Sequence, residues 1–137
     1  MKVFITCING MISTAQYAQV MVSDIAHYLG FKNVGIFCYD SSEESNESLS
    51  SRYDGIVASI SPGDIVFFQH PTWHPLKFEE GLINRIKVYG GRVIIVVHDL
   101  GPLMFEESRI MLKFVTGIFN SVEVLVVPSY AMKKFLL

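Results

Sequence analysis

Residues 90–102 read Gly-Gly-Arg-Val-Ile-Ile-Val-Val-His-Asp-Leu-Gly-Pro, and this stretch decides the fold. The two glycines end the preceding segment. The short run of β-branched residues that follows is typical of a strand buried on both faces of a parallel sheet. The run stops at His98-Asp99, a polar pair at the carboxyl end of the predicted strand. In open α/β sheets, ligands bind in the crevice beyond these strand ends, so the stretch predicts a fold and a site together.

The same arrangement recurs in two earlier parts of the chain. Val3–Ile8 is a β-rich run, and the loop after it contains Asn9, Gly10, Ser13 and Thr14. Ile65–Phe68 is a second apolar run, and it continues into Gln69-His70-Pro71-Thr72-Trp73-His74. The carboxyl ends of parallel strands lie at one edge of a sheet, so these loops are expected to share one crevice with His98-Asp99.

Strand-like and helix-like segments alternate along all 137 residues. The predicted strands are Lys2–Ile8, Val34–Tyr39, Asp64–Gln69, Arg92–His98 and Val122–Val127. The predicted helices run from Ser13 or Thr14 to Leu29, then Leu49–Ile60, Leu76–Tyr89, Phe105–Phe119 and Tyr130–Leu137. This βαβαβαβαβα pattern predicts a three-layer α/β/α domain with a five-stranded parallel sheet. We expect the strand order 3-2-1-4-5, with the switch point between the first and fourth strands.

The composition predicts an apolar contact surface. Hydrophobic residues make up 50% of the chain and charged residues 18%, and the mean hydropathy is +0.38. A buried parallel sheet accounts for part of this excess, and a face that meets another domain or subunit would account for the rest. The candidates for that face are Met104, Phe105, Phe114, Phe119 and residues 135–137.

Charge and cysteine content exclude several classes of protein. The net charge is -2 and the 11 basic residues are scattered, so there is no electrostatic case for binding nucleic acid. The two cysteines form no CxxC pattern, so we expect no metal site. No apolar run approaches the roughly 20 residues of a membrane-spanning helix, and no signal peptide is evident. A cytoplasmic protein is therefore expected.

Each of the three loops has a functional and a structural interpretation. The segment after the first strand offers free N–H groups to a phosphate or sugar hydroxyl, or it is simply a capped helix start. Trp73 presents a flat apolar face for a sugar ring or a flavin, or it plugs the top of the core. His98 and Asp99 are a candidate general base and its partner, with Asp99 able to raise the histidine pKa, or Asp99 caps the next turn.

The order and spacing of these segments resemble a known family. The matching segments are Ile8-Asn9-Gly10, Ser13–Gln16, Gly35–Tyr39, Asp54–Ala58, Phe68–Trp73, His98–Phe105 and Pro128-Ser129. Together they resemble the N-terminal half of bacterial GT-B glycosyltransferases that glycosylate serine-rich-repeat adhesins. That subfamily is also described as nucleotide-sugar synthetase-like or galactofuranosyltransferase-like. The resemblance covers essentially the whole chain, and residues 69–73 and 98–105 are its most specific parts.

The resemblance implies two domains with different roles in substrate binding. Residues 1–137 would be a single Rossmann-like domain on the acceptor side of a cleft, and a C-terminal domain absent from this chain would bind the UDP-sugar. The reaction implied is transfer of a sugar, glucose in the best-known members, to GlcNAc on a serine-rich adhesin. UDP-sugar would be the donor substrate, with no cofactor. The resemblance also implies a homo-oligomer, and the chain alone would be inactive.

On this reading the predicted site residues fall into two groups. His98 and Asp99 are the candidate catalytic residues, because a His/Asp pair at a strand end can accept the proton of an attacking hydroxyl. The candidate substrate-binding residues are Asn9, Gly10, Ser13, Thr14, Gln69, Thr72 and Trp73.

Two alternative functions stay open at this point. Ser13–Gln16 and Pro71–Trp73 also look like the phosphate and ring loops of flavodoxins, which would make the protein an FMN electron carrier. The first loop lacks the dense Ser/Thr/Gly run that wraps a phosphate, and residues 98–104 lack the Gly-Asp-rich loop that covers a flavin edge. The other alternative is a non-catalytic assembly module.

Overall fold

A computed structural model describes residues 1–10, 16–100 and 106–136 of the chain. Its five strands are β1 (Val3–Asn9), β2 (Lys32–Phe37), β3 (Ile65–His70), β4 (Arg92–Val97) and β5 (Val124–Val126). Its α-helices are α1 (Tyr17–Tyr28), α2 (Asn46–Ile56), α3 (Leu76–Val88), α4 (Leu112–Asn120) and α5 (Tyr130–Leu136). A 3₁₀ helix, Glu106–Met111, precedes α4, so the helix predicted over Phe105–Phe119 is α-helical only in its later part.

The five strands form one parallel sheet in the order β2-β1-β3-β4-β5. The predicted parallel α/β sheet is confirmed, but the predicted order 3-2-1-4-5 is wrong. β1 pairs with β2 on one side and with β3 on the other, so the order in which strands are added across the sheet reverses between β1 and β3. The crevice at the switch point therefore lies between the ends of β1 and β3, with His98 one strand further along.

The composition of β2 explains why it lies at the edge of the sheet. Lys32 and Asn33 are exposed, and only Val34 and Ile36 are buried. A strand with one buried face and a polar start is suited to an edge, where its other groups meet water. The predicted order would have placed this strand between two others. β3 and β4 contain the more continuous apolar runs, and both are interior strands.

Successive residues of β3 face opposite layers, as they must in a pleated strand. The Gln69 side chain bonds to Gln19 and Ser23 of α1, whereas His70 bonds to Glu79 of α3. On the α3 side, the main core is built from all five strands together with α2, α3, α4 and α5. Polar groups at the end of β3 therefore reach into both helical layers.

The start of β3 is tied to the N-terminus by Asp64. Its Oδ1 accepts from the Lys2 backbone N–H at 2.8 Å and its Oδ2 from the Ser61 N–H at 2.8 Å. The Lys2 ammonium lies 3.5 Å from Oδ2. The Lys2 N–H first, and then the Ser61 N–H, hold the pKa of Asp64 below its ordinary value.

We expect Asp64 to contribute an acid-sensitive part of the stability. A carboxylate with a lowered folded-state pKa stabilises the fold fully above its unfolded pKa of about 3.9, and this contribution is lost as the pH falls through the folded pKa. Asp64→Asn should therefore lower the unfolding free energy at neutral pH, and the two proteins should converge in strong acid. Urea unfolding from pH 7 downwards measures this; a constant difference at all pH values would contradict it.

Two glycines with left-handed φ offer a matched test of packing. Gly90 has φ +83°, and a Cβ added there would lie 2.9 Å from Pro62 Cα; Gly30 has φ +91° and open space around it. Gly30→Ala should cost about 1 kcal/mol, the conformational cost alone. Gly90→Ala should cost about 2–4 kcal/mol because the clash adds to it. Chemical denaturation compares the two, and equal losses would mean that the Pro62 contact relaxes freely.

The residues predicted for the apolar contact surface differ in their exposure, and the contact itself stays a prediction. Phe114 and Phe135 are exposed, but Phe119 is 4% exposed and belongs to the core. Met104, Phe105 and Leu137 lie outside the described residues. Val124 and Val126 of β5 are also exposed, and neither was among the predicted residues. Among the described residues, no helix has the length and apolarity needed to cross a lipid bilayer.

Candidate functional site

The candidate site lies at the carboxyl edge of the sheet, around the ends of β1, β3 and β4. All strands are parallel, so Asn9, Gln69 and His98 follow or close their strands at this same edge. The backbone N–H of His98 donates to the His70 carbonyl at 2.9 Å, which extends the pairing of β3 with β4 to the crevice. For the described residues of these loops, the prediction that they lie at one edge of the sheet is confirmed.

Gln69 is the centre of a buried hydrogen-bond network. Its side chain is 0% exposed, and the two N–H groups of its Nε2 are shared among three acceptors: the Thr6 carbonyl (2.8 Å), the Gln19 carbonyl (3.2 Å) and the Ser23 hydroxyl (3.0 Å). The two carbonyls can only accept, so the amide nitrogen must face them. Gln69 Oε1 is therefore held towards β4.

The orientation of Gln69 fixes the tautomer of His98. His98 Nε2 lies 2.7 Å from Gln69 Oε1, an atom that can only accept. Nε2 must carry the proton, which leaves Nδ1 as the proton-accepting nitrogen of the neutral ring. Burial, and then the neighbouring charge of His70, lower the pKa of His98 below its ordinary value. The neutral ring is a proton acceptor at neutral pH.

Asp99 does not form the predicted pair with His98. Its Oδ1 accepts a hydrogen bond from the Leu100 backbone N–H at 2.8 Å, so the carboxylate bonds to the backbone that follows β4. The expectation that Asp99 raises the His98 pKa is wrong, because the pKa is lowered and the partner of the ring is the Gln69 amide. Asp99 orders the backbone beside His98.

A second buried network lies on the other face of β3. His70 Nδ1 is 2.8 Å from Glu79 Oε2, and the Thr72 N–H donates to Glu79 Oε1 at 2.6 Å. The His70 and Glu79 side chains are 2% and 1% exposed. His74 is also buried: its ring stacks on Phe78 with centroids 4.2 Å apart. Neither His70 nor His74 is therefore a surface histidine.

Residues 71–74 form the loop after β3, and Trp73 has an unusual backbone conformation within it. The His70-Pro71 peptide bond is cis, and Trp73 has φ +65°. A non-glycine residue in the left-handed region costs on the order of 1–3 kcal/mol, so surrounding contacts must impose it. Trp73 is 38% exposed, whereas Thr72 is fully buried. The loop thus presents its aromatic ring at the edge of the sheet.

The remaining predicted residues differ in how far the structure describes them. Asn9 is exposed at the end of β1, and its carbonyl accepts from the Cys38 N–H at 2.7 Å. Gly10 is also exposed and lies against the Phe37 ring. Ser13 and Thr14 lie outside the described residues. Gln69 and Thr72 have no exposed surface, so in this conformation they orient other groups and touch no ligand themselves.

Sequence reasoning missed Glu79, Gln19 and Ser23. Glu79 had a readable signal: it falls on the same face of α3 as Ile83 and Ile86, which is buried. A carboxylate on such a face requires a partner. Gln19 and Ser23 face the sheet from α1, one turn apart, where an apolar face is the usual expectation. Within the described residues, no three His, Cys, Asp or Glu side chains converge as a metal would require.

The fold and the site together define a doubly wound, Rossmann-like domain with polar and aromatic residues at the carboxyl edge of its sheet. The family described as glucosyltransferase 3-like, N-terminal domain, matches residues 2–137. The chain belongs to this family.

Two curated relatives carry the name glucosyltransferase 3. The protein from Streptococcus parasanguinis is 42% identical over 134 residues, which is 96% of this chain and 41% of the relative. The protein from Streptococcus gordonii is 37% identical over 139 residues, covering 100% of this chain and 42% of the relative. The chain therefore spans about two fifths of the length of these relatives.

Proposed function

We propose that this chain is the acceptor-side domain of a glucosyltransferase with a GT-B architecture. The observation that carries the proposal is membership of the glucosyltransferase 3-like N-terminal domain family over residues 2–137. The donor is UDP-glucose, and the acceptor is GlcNAc already attached to a serine-rich adhesin. Most contacts to the nucleotide come from a second domain, corresponding to the part of the relatives that this chain does not match.

His98 is the general base of the proposed reaction. Its Nδ1 accepts the proton of the acceptor hydroxyl while that oxygen bonds to the anomeric carbon of glucose. The bond from that carbon to the UDP oxygen breaks, and its electron pair leaves with UDP. The hydrogen bond from His98 Nε2 to Gln69 supports this role, because it fixes the tautomer in which Nδ1 keeps its lone pair. Asp99 is assigned the structural task of ordering the backbone beside the base.

Trp73 and Asn9 bind the acceptor sugar. The exposed indole offers a flat apolar face on which a pyranose ring can stack, and the exposed Asn9 amide can bond to sugar hydroxyls. Ser13 and Thr14 are assigned to the same group on the basis of their position after β1. The protein is further proposed to be cytoplasmic and to assemble as a homo-oligomer through its exposed apolar residues.

A chimera tests the proposal. This chain replaces the matching 41% of the Streptococcus parasanguinis relative, and glucose transfer from UDP-glucose to a GlcNAc-bearing serine peptide is measured. The chimera is expected to transfer glucose, and the chain alone is expected not to. A folded chimera that binds UDP-glucose but never glucosylates the peptide would contradict the proposed function and favour an assembly role.

The strand order gives a specific reason to test the flavodoxin-like alternative as well. The order 2-1-3-4-5 is shared by flavodoxins, which bind FMN at the switch point between β1 and β3. A fold hosts many functions, so the shared order does not itself imply a flavin. Incubation with FMN followed by gel filtration is expected to give a colourless protein; co-elution of yellow flavin would favour the electron carrier.

A further inference from the structure

Residues 71–74 are anchored to three separate elements. Gln19 Nε2 of α1 donates to the Pro71 carbonyl at 2.6 Å. The Thr72 N–H donates to Glu79 of α3 at 2.6 Å, and His74 Nε2 bonds to the Phe37 carbonyl at the end of β2 at 3.0 Å. Every residue flanking Trp73 is thus tied down, and the exposed indole lies between them.

Glu79 makes two of the hydrogen bonds that fix this segment. Its carboxylate is buried inside the protein, and each oxygen has a different partner: Oε2 bonds to the ring of His70, and Oε1 accepts from the Thr72 N–H. A buried carboxylate with two close donors is a strong and directional contact. It joins the last residue of β3 to the residue immediately before Trp73. The left-handed φ of Trp73 requires this kind of external constraint.

We propose that Glu79 is a positioning residue that fixes the Trp73 backbone, so that the indole stands as a preformed stacking surface for the pyranose ring of the acceptor. The identity of that ring as a sugar rests on the proposed function, whereas the positioning role rests only on the contacts of Glu79. A surface that is already ordered loses less conformational freedom on binding, so loosening it weakens affinity. Glu79 itself has no exposed surface and touches no ligand.

Trp73 is the only tryptophan in the chain, so its fluorescence reports directly on this surface. We expect Glu79→Ala to increase acrylamide quenching of Trp73 by about twofold and to weaken binding of a GlcNAc-bearing serine peptide by roughly 10-fold, the effect of one lost directional contact. Glu79→Gln should lie between, because its amide oxygen can still accept from the Thr72 N–H. Glu80→Ala, an exposed neighbour on α3, is the matched control and should resemble the parent.

The possible outcomes distinguish the positioning role of Glu79 from the proposed identity of the acceptor. Parent-like quenching and affinity in a folded Glu79→Ala protein would overturn the positioning role. If Glu79→Ala does not fold, Glu79→Gln carries the test, and parent values for both measurements in that variant would overturn it equally. If the parent protein does not bind the glycopeptide and Glu79→Ala still increases acrylamide quenching of Trp73, the positioning role is supported and the proposed acceptor is wrong.

Discussion

Replacing His98 with alanine in the chimeric enzyme is expected to lower glucose transfer by roughly 10²- to 10⁴-fold, the usual contribution of a general base. The reason is the tautomer of His98, whose Nε2 proton is engaged by Gln69 and whose Nδ1 lone pair remains to accept a proton. Affinity for UDP-glucose should change little, because the donor contacts are assigned to the other domain. Steady-state transfer to the GlcNAc peptide, together with UDP-glucose titration, measures both effects.

His27→Ala is the control for this prediction. His27 lies near the end of α1, where its ring bonds to Asn33 at the start of β2, and it is exposed. That variant should transfer glucose at the parent rate. Because the folded-state pKa of His98 is lowered, the ring stays neutral to a lower pH than an ordinary histidine, and kcat/KM should fall only below about pH 6.5. A folded His98→Ala enzyme with the parent rate would place the base elsewhere.

Gln69→Leu is expected to destabilise the fold substantially. Leucine keeps the approximate shape but removes the donor shared by Thr6, Gln19 and Ser23, as well as the acceptor for His98. Buried polar groups left without a partner cost about 1–3 kcal/mol each, and the two backbone carbonyls keep part of their bonding. A loss of about 2–4 kcal/mol in unfolding free energy should result, measured by urea denaturation.

Gln16→Leu is the matched substitution for Gln69→Leu. Gln16 makes one side-chain hydrogen bond in the described structure, from its Nε2 to the Ile8 carbonyl at 2.6 Å, and it is only half-buried. Its replacement should cost about 1 kcal/mol. Equal losses for the two glutamine variants would show that the Gln69 network contributes no more than a single bond.

The alternation of strands and helices was predictable because each element has a local signature. The β-branched run at residues 93–97 and the glycines at 90 and 91 mark β4 and the end of the helix before it. Strand order depends on pairing between distant segments, which local periodicity does not contain. A clue was nevertheless present: Lys32, Asn33 and Gly35 give β2 the polar, one-sided character of an edge strand.

The location of the candidate site was predictable, but the roles within it were less so. Polar residues after apolar strands correctly marked the carboxyl edge, since parallel strands end together. Whether Gln69 faces solvent or the interior depends on what α1 places above it, and Gln19 and Ser23 make it a buried donor. Glu79 joins the site only because α3 packs against the end of β3, a contact between segments that no motif links.

The most direct test of the account separates acceptor binding from donor binding in the chain itself. We expect isothermal titration of residues 1–137 with a GlcNAc-bearing serine peptide to show saturable binding that Trp73→Ala weakens, and titration with UDP-glucose to show none. The same peptide without GlcNAc is the control and should not bind. Saturable binding of UDP-glucose, with no response to the glycopeptide, would contradict the account by placing the donor on this domain.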